Sequence, residues 1–296
     1  MFTLRFTGCV DSDELAAQNQ LVLEIRYELA ESLGHSALEA IEQGKYLGDH
    51  GLVDWSAEIR AAEAAKVSLP PNSSLPKVAS KSLPETQVVV INQTTLKAAR
   101  ELTERGDRPL ALNFANGVEP GGGFLRGATA QEETLCRSSA LYTTLVADPM
   151  YAFHRSNDPA ASSDWAILSP NVPVFRDDAG MELDQPWRLS FLTCAAPYAP
   201  TIGRRDAEPM LRNRIHRVLS IAQAYEYESL VLGAWGCGVF ANDPRQTALD
   251  FRAALEGEFA GTFGQVVFAI ADWSDNRRFL RPFCEVFSSS RESSSG

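Results

Sequence analysis

From Gln87 to Phe287 short β-branched runs alternate with helical patterns, which restricts this stretch to a layered α/β fold around a largely buried sheet. Gln87 to Asn92 (QVVVIN) and Pro109 to Phe114 (PLALNF) read as buried strands, and Thr95 to Arg105 and Glu132 to Val146 as helices. Trp165 to Phe175, Trp187 to Ala195, Ser229 to Ala234 and Gln265 to Ile270 continue the strands. Asp206 to Tyr225, Pro244 to Phe259 and Ser274 to Phe287 continue the helices. Two strand patterns follow one another between Trp165 and Ala195 without a helix, which predicts a mixed sheet.

The 296 residues divide by composition. Asp11 to Tyr46 spaces leucines and isoleucines among carboxylates as amphipathic helices do, with Gly34 and Gly44 as stops, so residues 1–66 are expected to form a helical region packed on the core. Residues 67–86, rich in Ser, Pro and Lys, read as a linker, 87–287 as the compact core and 288–296 as a disordered polar tail. No apolar run approaches the roughly 20 residues that span a bilayer, and carboxylates follow the N-terminus before a signal-like stretch could form, so a cytoplasmic, membrane-free protein is expected.

Charge and cysteine usage exclude several chemistries. A net charge of −11 opposes nonspecific binding to nucleic acid, so any polyanion must be held at one local site. The five cysteines are scattered, without a C-x-x-C pair, so neither a disulfide framework nor a zinc site is expected. The four histidines are equally dispersed and read as surface or satisfied core residues.

Two loops that follow strand patterns carry the candidate chemistry. In the first, Asn113 to Phe124 (NFANGVEPGGGF) ends in three glycines whose backbone N–H groups a phosphate or sugar could approach, although such a triplet also serves as a flexible turn. Gln131, Glu132 and Glu133 then open a helix. Adjacent carboxylates suit a helix N-terminus on dipole grounds alone. Behind a glycine-rich loop they also fit glycoside cleavage, which needs a carboxyl that donates and accepts a proton beside an oxocarbenium-like transition state. Mutual repulsion and partial burial would raise the pKa of one of them. The second loop, Gly233 to Pro244 (GAWGCGVFANDP), leads from a strand to a helix N-terminus, an arrangement by which backbone amides hold a diphosphate. It lacks the third glycine of a dinucleotide-binding fingerprint.

Gly121-Gly122-Gly123 followed by Gln131-Glu132-Glu133 resembles the GGG…QEE signature of poly(ADP-ribose) glycohydrolases, and with GAWGCGVFANDP it looks like the compact microbial branch of that family. The similarity covers most of Gln87 to Phe287. It implies a three-layer α/β/α macrodomain with a mixed central sheet, here carrying an N-terminal helical extension, and ADP-ribose across the C-terminal edges of the strands. Carried over, Glu133 would be the principal acid/base and Glu132 would position the ribose hydroxyls. Asn116, Gly121, Gly122 and Gly123 would hold the distal ribose, with Gln131 touching the ligand or fixing the loop. The amides of Gly236, Cys237, Gly238 and Val239 would clasp the diphosphate, and Phe240 would pack on the ribose. Asn92, Gln93 and Thr94 fall where macrodomains meet the adenine, and Tyr198, in place of an expected Asn, could stack on it.

The resemblance implies hydrolysis of ribose–ribose O-glycosidic bonds without metal or cofactor, by a monomer that acts on poly(ADP-ribose) and ADP-ribosylated proteins, releases ADP-ribose and belongs to ADP-ribosylation turnover such as the DNA damage response. The acidic chain would gain little from tracking a long polyanion, which favours exo attack at a chain end. A non-catalytic ADP-ribose-binding macrodomain and a mono-ADP-ribosyl hydrolase acting on protein or nucleic acid remain the alternatives.

Overall fold

The computed structural model describes residues 2–78 and 82–289. The N-terminal part holds β1 (Thr3–Val10), α1 (Asp13–Leu23), α2 (Tyr27–Gln43), β2 (Lys45–Gly48), β3 (Gly51–Asp54), α3 (Ser56–Ala65) and β4 (Val67–Leu69). Then come β5 (Glu85–Ile91), α4 (Thr95–Glu104), β6 (Pro109–Ala115), a 3-10 turn at Phe124–Arg126, α5 (Gln131–Ser138), α6 (Leu141–Leu145) and α7 (Pro149–Ser156). The remainder is β7 (Ala166–Arg176), β8 (Glu182–Ala195), α8 (Ala199–Ile202), α9 (Arg204–Ala224), β9 (Ser229–Leu232), α10 (Pro244–Glu256), β10 (Gln265–Ala269) and α11 (Leu280–Ser288).

The central sheet runs β1-β5-β10-β9-β6-β8-β7-β4. The pairs from β1 to β8 are parallel, whereas β7 and β4 run antiparallel to their neighbours, so the sheet is mixed as expected. Alternate residues of the buried strands feed opposite faces. Val88, Val90, Leu230 and Phe268 pack with Ile215, Leu219, Phe251 and Phe283 from α9, α10 and α11. Ala111, Val231 and Val267 pack on the other face with Trp55, Leu96 and Leu135 from the region of α3, α4 and α5.

Several elements differ from the sequence reading for identifiable reasons. Gly34 does not stop a helix but lies within α2, where a Cβ would stand 2.2 Å from the Phe124 carbonyl oxygen; its missing side chain lets α2 press on the turn after the glycine triplet. The expected helix from Glu132 breaks after Ser138, where Ala140 N–H donates to Pro173 O in β7. The last helix begins at Leu280 rather than Ser274, because Asp272 accepts from the backbone N–H of Ser274, Phe279 and Leu280 and holds the chain between them in a turn. The first 66 residues supply strands as well as helices: β1 extends the sheet by pairing with β5. In the segment read as a linker, Val67–Leu69 pairs with β7. Of the tail expected to be disordered over 288–296, Ser288 instead ends α11, and residues 290–296 lie outside the described residues.

Cys9 of β1 and Cys284 of α11 form a disulfide across 275 residues, with Cα atoms 5.5 Å apart. This corrects the expectation of no disulfide: the two cysteines meet because α11 packs on β1 and β5, a proximity invisible to spacing along the chain. Among the described residues no helix is long and apolar enough to cross a membrane.

Topology fixes where the two glycine-rich loops go. β6 and β9 are parallel neighbours, so the loops that follow them leave the same edge of the sheet side by side. A Cβ on Gly233 would lie 2.9 Å from the Phe114 ring, and one on Gly236 2.7 Å from Ala196 after β8. Replacing Gly34 by Ala should push α2 off this edge and cost about 1–3 kcal/mol, as overpacking does. Denaturant unfolding reads that loss, and faster amide exchange at 121–127 should accompany it.

Candidate active site

Glu132 and Glu133 open α5, with Glu132 2 % and Glu133 8 % exposed. Their carboxylates converge beneath Gly122: the point where its Cβ would stand is 2.3 Å from Glu133 Oε1 and 3.2 Å from Glu132 Oε2. At φ 58° that residue is in the left-handed region as well, so backbone conformation and space both demand glycine. Gly123 N–H donates to Glu133 Oε1 at 2.9 Å. Glu133 Oε2 has no protein partner among the described residues, and this leaves it for a ligand.

Glu132 is held inward. Asn116 N–H donates to Oε2 at 2.6 Å and Asn113 Nδ2 to Oε1 at 3.3 Å. Burial raises the pKa of Glu132 to about 8, opposed by the Asn116 N–H and reinforced by the charge of Glu133. The sequence expectation that one member of the pair would be raised therefore falls on the deeper one, because desolvation penalises its charge and the neighbouring Glu133 adds to that. Glu132 therefore keeps its proton at neutral pH.

Neighbouring groups brace this arrangement. Gln131 directs its amide into protein: Oε1 accepts from Phe114 N–H, and Nε2 donates to Leu112 O and Thr95 Oγ1, tying α5 to β6 and α4. Asn116 Oδ1 accepts from the N–H groups of Val118 and Glu119, which turns its Nδ2 into the atom without a partner among the described residues. Buried His154 contacts Gly117 O through Nδ1 at 2.8 Å and Ser163 Oγ through Nε2 at 2.7 Å, and burial lowers its pKa. Arg137, one helical turn after Glu133, donates to Ala128 O at 2.6 Å.

The second loop presents unused donors. The N–H groups of Gly236, Gly238, Val239 and Phe240 have no protein acceptor among the described residues, and nothing lies within 4 Å of where a Cβ of Gly238 would stand. Cys237 differs: its N–H donates to Ala234 O and its buried thiol faces Thr247, so it shapes the loop instead of offering an amide. Phe240 is half-buried and meets Tyr198 edge-on, with ring centroids 5.3 Å apart. A groove of about 400 Å³ between α9 and α10 adjoins this loop through Asn242 and Asp243 but includes neither glutamate. Its Arg204, Arg205 and Arg245 face Glu208, Asp243 and Asp250, which leaves little net charge.

Asn92 and Thr94 do not offer their side chains to a base. Asn92 fills its hydrogen-bonding capacity, donating to Asp11 Oδ1 and Asp272 O and accepting from Asn19 Nδ2 and Asp272 N–H. Thr94 caps α4 and donates to Asp178 Oδ2 at 2.6 Å, while Gln93 donates to Glu101. Position at a strand end was legible; hydrogen-bond partners from distant segments were not. Sequence reasoning also passed over Asn113, whose signal was a single amide in an apolar strand, and Arg137, whose signal was its i+4 spacing from Glu133. Among the described residues no group of three or more His, Cys, Asp or Glu side chains is placed to hold a metal.

Residues 34–177 match the family model for the microbial-type PARG catalytic domain. The structure of poly(ADP-ribose) glycohydrolase from Thermomonospora curvata is similar over 88% of this chain and 99% of its own, with 41% identity and a TM-score of 0.82. The chain belongs to the microbial-type poly(ADP-ribose) glycohydrolase family. The T. curvata enzyme bound to the inhibitor ADP-HPD is 39% identical, with a TM-score of 0.80 over 87% of this chain and 99% of that one. The Deinococcus radiodurans enzyme in complex with ADP-ribose is also 39% identical, with a TM-score of 0.70 over 78% and 97%. No curated protein matches. Membership fits an α/β fold whose paired carboxyls and unused amides share one edge of a mixed sheet.

The raised Glu132 has a thermodynamic consequence. Between pH 4.5 and about 8 the folded protein retains a proton that the unfolded chain has lost, so this group makes stability fall as pH rises through that window. Glu132→Gln removes the titration, and its denaturant-derived stability should decline less from pH 5 to pH 8 than that of the unsubstituted protein.

Proposed function

We propose that this chain hydrolyses the ribose–ribose O-glycosidic bond of poly(ADP-ribose) and releases ADP-ribose. Glu133 carries the reading, with one carboxylate oxygen fixed by Gly123 N–H and the other without a protein partner among the described residues. The free amides of Gly236, Gly238, Val239 and Phe240 beside the N-terminus of α10 suit a diphosphate. Gly121 to Gly123 and Asn116 Nδ2 suit the distal ribose, with the Phe240 ring against it. The adenine then depends on groups other than the side chains of Asn92 and Thr94.

In this mechanism the bond from the anomeric carbon to the 2′-oxygen of the departing unit breaks while Glu133 protonates that oxygen. The resulting carboxylate takes a proton from water as water adds to the anomeric carbon. A ribose hydroxyl bridging the two carboxyls offers a path for the Glu132 proton to Glu133. With Glu132 neutral, the cleft holds one carboxylate charge fewer against an incoming diphosphate.

Residues 87–287 carry the catalytic groups in this reading, and the N-terminal segment is continuous with them, adding β1 to the sheet and seating α2 on the Phe124 turn. A cytoplasmic setting, with ADP-ribosylated proteins as partners, completes it. There Cys9 and Cys284 would be largely reduced. A binding module without turnover is the weaker reading, since it has no use for a buried carboxyl with one oxygen left open.

Glu133→Gln keeps the shape and removes the acid, so release of ADP-ribose from polymer should fall by about 10²–10⁴-fold while calorimetric ADP-ribose affinity is retained. Full turnover in that variant rejects the assignment. Attack from the chain end should yield free ADP-ribose from the first minutes of digestion, and early accumulation of long internal fragments contradicts it.

A further inference from the structure

The start of α2 lies beside the glycine-rich loop that covers Glu133. Tyr27 opens α2 and is 55% exposed. Its ring rests against the end of the glycine-rich loop: a Cβ on Gly127 would stand 2.7 and 2.8 Å from Tyr27 Cδ2 and Cε2. Gly127, at φ 74°, therefore accommodates both a left-handed turn and an aromatic ring. The preceding residue, Arg126, has a side chain 60% exposed. The point where a Cβ of Gly123 would stand is 3.9 Å from Arg126 Nη2 and 4.0 Å from Glu133 Oε1, so guanidinium and carboxylate flank one α-carbon. Arg126 is joined to Glu119 by a two-pronged pair, each prong 2.5 Å. A bidentate pair of this kind is among the stronger exposed ones and holds the guanidinium in place, while its 60% exposure leaves it open to a further anion.

We propose that Tyr27 and Arg126 form a subsite for the departing unit of the polymer and thereby favour poly(ADP-ribose) over singly modified substrates. The inference rests on the glycohydrolase reading and extends it to the far side of the scissile bond. The acid must face the leaving oxygen, so groups beside Glu133 that do not line the Gly236–Phe240 loop meet the leaving group. In the polymer that group is the 2′-oxygen of another adenosine, which brings a flat base and a diphosphate. An exposed phenol ring complements the base and a guanidinium the diphosphate. An ADP-ribosylated amino-acid side chain presents neither.

The test compares each variant on two substrates: poly(ADP-ribose), and ADP-ribose joined at its anomeric carbon to a phenol, which lacks nucleotide on the leaving side. For Tyr27→Ala and Arg126→Gln the ratio of kcat/KM for polymer to that for the phenol glycoside should fall about tenfold, the size expected from losing one base-stacking or phosphate contact. Glu119→Gln, which releases the guanidinium without removing it, should hold or raise the ratio. A ratio unchanged in Tyr27→Ala and Arg126→Gln overturns the subsite, including the case in which loop damage lowers both substrates equally. Failure of the unsubstituted protein to cleave polymer instead sinks the glycohydrolase reading.

Discussion

Two carboxyl groups buried side by side at the start of α5 are an electrostatic burden, and much of the surrounding structure follows from holding them there. Each needs a backbone N–H: Gly123 supplies one to Glu133 and Asn116 one to Glu132. Those amides come from a loop that must fold over the pair closely enough to exclude any side chain at Gly122. The loop is in turn pressed from outside by α2, pinned from below by Gln131 and held at Gly117 by His154. Residual repulsion is relieved by retaining a proton, and burial assigns it to Glu132. What reaches the cleft is then a carboxyl pair with one open oxygen on Glu133.

The second requirement is that the loop with unused amides leave the same sheet edge as this pair. More than a hundred residues separate Gly122 from Gly236, yet β6 and β9 are adjacent and parallel, so both loops emerge from one edge. Parallel pairing across a crossover makes such loops neighbours as a matter of topology. The loop after β8 fills the space between them, with Ala195 and Ala196 against Gly117 and Gly236. The N-terminal segment adds a strand to the far edge through β1 and braces the glycine-rich loop through α2, so its packing bears on the geometry of the carboxyl pair.

A good part of this is legible in the sequence. Alternating apolar runs indicate the order of strands and helices in the core, and two adjacent strand patterns indicate a mixed sheet. The glycine triplet, the Glu132-Glu133 pair and the strand–loop–helix pattern around Gly236 mark the candidate site, because φ > 0, helix-end electrostatics and anion binding leave local traces in residue type. Less legible were elements whose role depends on a distant partner. Gly34 looked like a stop because glycine is a poor helix former, whereas its function is to admit a carbonyl from 90 residues away. Asn92 looked available at a strand end, and four distant hydrogen bonds consume it.

Sequence alone determined the layered α/β architecture, the presence of two glycine-rich loops and the residue types able to move a proton and hold a diphosphate, since each depends on local propensity and spacing. Tertiary structure decided which carboxyl keeps the proton, which amides remain unused, that Cys9 meets Cys284 and that Tyr27 and Arg126 flank the end of the glycine-rich loop. Burial, hydrogen-bond competition and packing between segments far apart in the chain govern those outcomes, and none of them is encoded in any single stretch of residues.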